Sequence, residues 1–155
     1  MPGSIQPQPL PPNNMAWFQH VDLTSLNRAG NGGLHEHLGM EFTDFGPDWL
    51  SAKMPVDERT KQPFGLLHGG ASVALAESVG STAGSLTIDP NIRRVVGMEI
   101  NANHLRPVTE GYVHAVAKAE SLGRTAQVWT IRITDDADRL ICLSRITLAV
   151  IATRD

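Results

Sequence analysis

The sequence predicts an α+β fold in which an antiparallel β-sheet wraps around one long buried helix. Three observations carry that expectation. The run from Gly69 to Ile88 is apolar on nearly every face, strand-like alternating segments follow it, and Gly, Pro and Asp clusters punctuate the intervals. At 155 residues the chain has room for one domain with a substantial core.

Taken in order, the first 13 residues are rich in Pro and Gln and lack the charged start and apolar middle of a secretion signal. They read as a disordered tail, which leaves residues 14–155 as a single domain. Residues 15–29 carry Trp17, Phe18, Val21, Leu23 and Leu26, with Asp22 or Thr24 as caps, and predict one or two short helices ending near Gly30-Asn31-Gly32-Gly33. His35-Glu36-His37 is the one tight histidine cluster, but no second His/Cys pair at metal spacing accompanies it. It reads as a solvated loop, and no metal site is expected. Residues 38–46 and 48–56 predict two strands joined at Gly46-Pro47-Asp48.

The central helix should span residues 69–88 and stop before Asp89-Pro90, where proline blocks continuation. Ala71, Val73, Ala74, Leu75, Ala76, Val79, Ala83 and Leu86 cover most of its circumference, so burial on all sides is expected. Segments 94–104, 111–121, 125–134 and 139–152 then predict four strands running as a β-meander. Thr109-Glu110-Gly111, Leu122-Gly123-Arg124 and Asp135-Asp136-Ala137-Asp138 supply the turns between them.

Bulk properties exclude several function classes. A formal net charge of -3 offers no basic footprint for nucleic acid. No apolar run approaches the roughly 18 residues that would span a bilayer. A single cysteine, Cys142, rules out an internal disulfide framework, fits a reducing cytoplasm, and lies in an apolar run as a small core residue would. No Walker A or dinucleotide fingerprint occurs, and Gly70-Ala-Ser-Val-Ala74 lacks the second glycine of a nucleophile elbow.

The chemistry concentrates in Gln62-Pro-Phe-Gly-Leu-Leu-His-Gly-Gly-Ala-Ser-Val-Ala-Leu-Ala-Glu77. The N–H groups of a helix's first turn have no intrahelical partner, so Gly69-Gly70 either forms an oxyanion site or simply eases a turn into a packed helix. Glu77 is a lone acid on an apolar helix, which fits a general base, a nucleophile, or a neutral or paired structural residue. Eight positions separate Gly69 from Glu77, about 12 Å along one helix, too far for both to touch one carbonyl. If both act on one thioester, Glu77 must come from a second copy, and the site is shared across a homodimer with antiparallel central helices. Gln62 and His68 flank the turn and can position an oxygen or fix the loop. Ser81, at i+4 from Glu77, lies on the same helix face. Arg106 and Arg124 fall at strand ends or turns, where arginine grips phosphate or merely faces water.

The block Met54-Pro-Val-Asp-Glu-Arg-Thr-Lys-Gln-Pro-Phe-Gly-Leu-Leu-His-Gly-Gly-Ala-Ser-Val-Ala-Leu-Ala-Glu-Ser78 resembles the hotdog-fold acyl-CoA thioesterases of the phenylacetate-pathway type, in the branch of naphthoyl-CoA hydrolases and enterobactin-pathway proofreading thioesterases. Val95-Val-Gly-Met-Glu-Ile-Asn-Ala-Asn-His-Leu-Arg106 and Gln127-Val-Trp129 extend the likeness over roughly residues 38–152. The resemblance implies a hotdog fold, a homodimer, a homotetramer built as a dimer of dimers, and hydrolysis of an aromatic acyl-CoA with no metal or redox cofactor. It further implies Glu77 as the catalytic carboxylate, the Gly69 amide as oxyanion hole, His68 and Gln62 in support, and Ser81 beside the acid. His104 and Arg106, with the loop containing Ser121, Gly123 and Arg124, would hold the coenzyme A arm. The chain departs from the family pattern at Ser121 and Arg124. Rival readings are a hotdog enoyl or hydroxyacyl thioester hydratase or dehydratase, and a non-catalytic acyl-CoA sensor. The Gln62 and His-Gly-Gly pattern fits the thioesterase better, and a sensor would carry a DNA-reading segment that is not visible here.

Overall fold

A computed structural model describes residues 15–153. The segment expected to be a disordered tail lies outside them. Helices α1 (Leu23–Ala29) and α2 (Leu34–Leu38) precede strands β1 (Glu41–Phe45) and β2 (Trp49–Pro55); helix α3 (Gly69–Leu86) follows, and then β3 (Arg93–His104), β4 (Tyr112–Leu122), β5 (Ala126–Asp135) and β6 (Leu140–Ala152). Asp22 caps α1 by accepting from the Thr24 N–H. His35-Glu36-His37 is helical, forming most of α2 instead of the expected loop, because Gly39 closes that turn in the left-handed region at φ 69°. Among the described residues no group of three His, Cys, Asp or Glu side chains is placed to hold a metal.

All six strands join one antiparallel sheet in the order β1-β2-β4-β5-β6-β3. The predicted four-strand meander is corrected here. β4, β5 and β6 run as neighbours, but β3 pairs with β6 at the open edge. The reason is competition for β4, which is already held between β2 and β5. The stretch 105–111, expected to end in a turn, therefore crosses three strand spacings, about 14 Å. Seven residues reach that far with ease.

Alternate residues of β2, β4, β5 and β6 point at α3 and make the core: Leu50, Met54, Val113, Trp129, Ile131, Ile133, Ile146 and Leu148 are all fully buried. From the helix come Leu75, Ala76, Val79 and Ala83, with Gly80 and Gly84 where the sheet comes closest. A methyl at Gly80 would sit 2.7 Å from Ile146 Cγ2, so glycine sets the distance between the layers. The opposite face of α3 is a second correction. Val73, Ala74, Glu77, Ser78, Ser81 and Thr82 are only half-buried, because the sheet curls around one side of the helix.

The first described residues fasten the other end of α3. Phe18 and Gln19 donate their N–H groups to Leu86 O at 2.9 and 3.0 Å, and Gln19 Nε2 reaches Ser85 O at 2.7 Å, filling carbonyls the helix leaves open. Trp17 stacks on Trp129 with ring centres 6.1 Å apart and donates to Gly46 O at 2.7 Å. Trp17→Ala should lower the unfolding free energy by about 3–5 kcal/mol, read as a lower urea midpoint.

Candidate active site

The turn before α3 is held by one buried hydroxyl. Thr60 Oγ1 donates to Pro55 O at 2.7 Å and accepts from Asp57 N–H at 3.1 Å, while the Thr60 carbonyl accepts from His68 N–H at 2.8 Å. Leu67 N–H is tied to Val108 O at 2.8 Å. Between these ties, residues 62–66 turn tightly through Gly65 at φ 82°, a conformation that favours glycine. Gln62 Oε1 accepts from Phe64 N–H, which leaves the Gln62 amide hydrogens for another partner.

This bracing fixes where the first amides of α3 point. His68 is the N-cap, with φ -69° and ψ 130°, and its Nδ1 accepts from Gly70 N–H at 2.8 Å. The neutral ring then carries its proton on Nε2. The Ala71 and Ser72 N–H groups reach His68 O at 2.9 and 3.2 Å. Of the first four amides, Gly69's alone has no acceptor among the described residues. It carries the partial positive charge of the helix terminus and lines a cleft of about 360 Å³. Gln62, Ser72, His104 and Arg106 line the same cleft. The His104 ring lies so close that a Cβ on Gly69 would meet its Nε2 at 2.9 Å.

Glu77 stands apart from this cleft, as the spacing along α3 requires. Ser81 Oγ donates to its Oε1 at 2.9 Å, and the carboxylate rests over the backbone of Gly97 in β3. A Cβ at Gly97 would lie 2.8 Å from Glu77 Oε1, so a larger residue there would push the carboxylate aside. The carboxylate expected to be buried is half-buried in the single chain. Cys142 is fully buried, and burial pushes its thiol pKa up, which suits a core residue better than a nucleophile.

The residues expected around coenzyme A divide into two groups. His104 and Arg106 lie at the Gly69 end of the sheet, where Arg106 Nη1 also reaches Leu140 O at 3.4 Å. Ser121, Gly123 and Arg124 lie at the β4–β5 turn, at the opposite end, beside the start of β3 and the last residues of β6. One chain does not bring them together. Sequence reasoning also passed over Gly97 and Thr60. An isolated glycine inside the strand run Val95-Val96-Gly97-Met98 was the available signal for the first; nothing in the sequence marks Thr60.

Residues 64–142 match the family description "Thioesterase superfamily". Over 137 residues, 88% of this chain and 100% of the relative, the sequence is 52% identical to 1,4-dihydroxy-2-naphthoyl-CoA hydrolase of Escherichia coli. It is 52% identical to the proofreading thioesterase EntH of Cronobacter turicensis over 136 residues, 88% of this chain and 98% of that one. A crystal structure of a thioesterase from Haemophilus influenzae superposes with a TM-score of 0.88 at 51% identity, covering 91% of this chain and 98% of the other.

The capping geometry has a direct consequence for stability. His68→Ala should cost about 1 kcal/mol in urea unfolding, and His68→Asn, which keeps a capping oxygen, should recover most of it.

Proposed function

The chain belongs to the thioesterase superfamily, with the hotdog fold, and is a thioester hydrolase; from that premise we propose that it hydrolyses an aromatic acyl-CoA at a site shared by two copies of the chain. The reaction is water plus acyl-S-CoA giving a carboxylic acid and the free thiol. The observation that carries this reading is the single unoccupied amide of Gly69 at the mouth of a cleft, with the one carboxylate of α3 held too far along the same helix to serve it.

The Gly69 N–H donates to the thioester carbonyl oxygen and, with the helix terminus behind it, stabilises the charge that develops as the carbon becomes tetrahedral. Glu77 of the partner subunit either takes a proton from the attacking water or attacks the carbonyl carbon itself. In the first route the Glu77 proton goes to the departing thiolate. In the second, water then cleaves the mixed anhydride and regenerates the carboxylate. Ser81 Oγ, donating to Glu77 Oε1, holds one oxygen and leaves the other for the reaction. His68 fixes the turn through its cap, and Gln62, which lines the cleft and whose amide hydrogens have no acceptor among the described residues, positions water or the carbonyl. No step calls for a metal or a redox group.

Two-fold pairing also explains the divided residue set. It brings the Ser121, Gly123 and Arg124 turn of one copy toward the His104 and Arg106 end of the other, a path of donors suited to a phosphorylated arm. An aromatic acyl group is favoured because the relative from Escherichia coli is a naphthoyl-CoA hydrolase. Among the described residues no helix is long and apolar enough to cross a membrane. The lone reduced cysteine favours work in the cytoplasm. Assembly of two dimers into a tetramer is proposed from the family resemblance.

Thiol release should be measured over benzoyl, naphthoyl, phenylacetyl and straight-chain CoA thioesters. Glu77→Ala should lose about 10²–10⁴-fold in kcat while remaining folded and dimeric. A folded, dimeric Glu77→Ala enzyme with full activity would rule the reading out. Gly97→Ala, which crowds the carboxylate, should lower kcat in the same direction by a smaller factor.

A further inference from the structure

Six polar or charged side chains are buried among the described residues, and five of them are bonded within the protein. Ser51 Oγ donates to Asp44 O, Thr60 Oγ1 to Pro55 O and Ser144 Oγ to Asn101 O. Gln127 links Thr87 to Trp129, and Asp135 accepts from Arg139. The sixth is Ser72, only 2% exposed, whose Oγ has no hydrogen-bond partner among the described residues. Its N–H reaches His68 O at 3.2 Å, but the hydroxyl does not bond back to that carbonyl.

The position is otherwise core. Leu75, Ala76 and Val79, at i+3, i+4 and i+7, share the stripe with Ser72 and are fully buried. Alanine would fill such a place without bringing a polar group that needs a partner. No fully enclosed side-chain nitrogen or oxygen lacks a partner among the described residues, so the Ser72 hydroxyl keeps an opening. The cleft it lines with Gly69 and His104 supplies that opening. Helical side chains lean toward the N-terminus, over the turn before their own Cα. For Ser72 that turn is Gly69, which has no side chain to screen the hydroxyl from the cleft.

We propose that Ser72 Oγ–H is a second donor to the thioester carbonyl oxygen, beside the Gly69 amide. The inference rests on the oxyanion role proposed above for Gly69 and adds the other half of that site. Neighbours three apart on a helix face stand about 5–6 Å from one another. One oxygen accepting from both at about 2.8–2.9 Å spans that gap. As the carbonyl carbon becomes tetrahedral its oxygen gains charge, and both hydrogen bonds strengthen. The proton stays on Ser72 throughout. Ser72 is not the nucleophile, because a serine attacks when a base within hydrogen-bond reach takes its proton. No base is bonded to it among the described residues, and His68 Nδ1 is committed to Gly70 N–H.

Ser72→Ala in the full chain, which removes one oxygen atom, tests the assignment by kinetics, ligand binding and urea unfolding. On the best thioester of the CoA panel, kcat should fall about 10²-fold with KM little changed. Two unreactive probes isolate the carbonyl contact: phenacyl-CoA carries a ketone oxygen, and phenethyl-CoA has a methylene in its place. The unsubstituted enzyme should bind the ketone more tightly, and Ser72→Ala should shrink that preference about three- to tenfold. The urea midpoint should hold or rise, since the hydroxyl bonds nothing in the fold. Full kcat in Ser72→Ala, or a lost kcat with the ketone preference intact, would overturn the assignment. So would a lowered urea midpoint accompanying the loss, which would mark a structural hydroxyl. Absence of any ketone preference in the unsubstituted enzyme would instead overturn the Gly69 oxyanion reading, and this inference with it.

Discussion

A straight helix rises about 1.5 Å per residue, and that rise keeps Gly69 and Glu77 from ever touching the same carbonyl within one chain. Much of the rest of the structure can be read as a response to that constraint. The amide end of α3 opens into a cleft lined by Gln62, His104 and Arg106, with no carboxylate among the described residues that line it. The acid end points sideways over Gly97, toward the open edge of the sheet. In the function proposed here, the two groups meet only when a second copy of the chain supplies the acid.

Each half is held by its own local device. On the amide side, one buried threonine staples the approach loop, and His68 spends its ring nitrogen on Gly70, so that the Gly69 N–H stays unspent. A helix terminus with one free amide keeps both its partial charge and a vacant hydrogen-bond direction, which is what an oxyanion needs. On the acid side, a glycine gives the carboxylate room and a serine one turn away orients it. In the proposed pair, a second copy covering the acid also removes water from around it, which strengthens every electrostatic contact in the site.

Much of this was legible in the sequence. The central helix starts where Gly69 says it should, and it ends at Leu86, two residues before the expected stop. The shift has a cause: Thr87 Oγ1 bonds back to Gly84 O at 2.7 Å and takes a bond from Gln127, which closes the last turn early. The strands after the helix fall within one residue of expectation, because alternation and turn residues are local signals. Their order is not local. β4 pairs with β2, which precedes the helix, and no periodicity within 94–152 records that partner. The exposure of α3 misled for a related reason, since Val73 and Ala74 look the same whether a sheet or a second molecule covers them. Gln62, Gly69, His104 and Arg106 converge on one cleft; Ser121, Gly123 and Arg124 do not join them in a single chain.

Mixed dimers address the shared site most directly. Gly69→Pro removes the amide hydrogen at the first helical position, where proline is tolerated, and His68 already has the extended ψ of 130° that a following proline requires. Glu77→Ala removes the acid. Each variant alone should be nearly inactive. Refolded together in equal amounts, half the dimers are hybrids, and each hybrid rebuilds one intact site from the unaltered Gly69 of one copy and the unaltered Glu77 of the other. The mixture should therefore recover about a quarter of the unsubstituted rate. No recovery from a mixture shown to contain hybrids would mean that amide and acid work within one chain, and the shared site would be wrong.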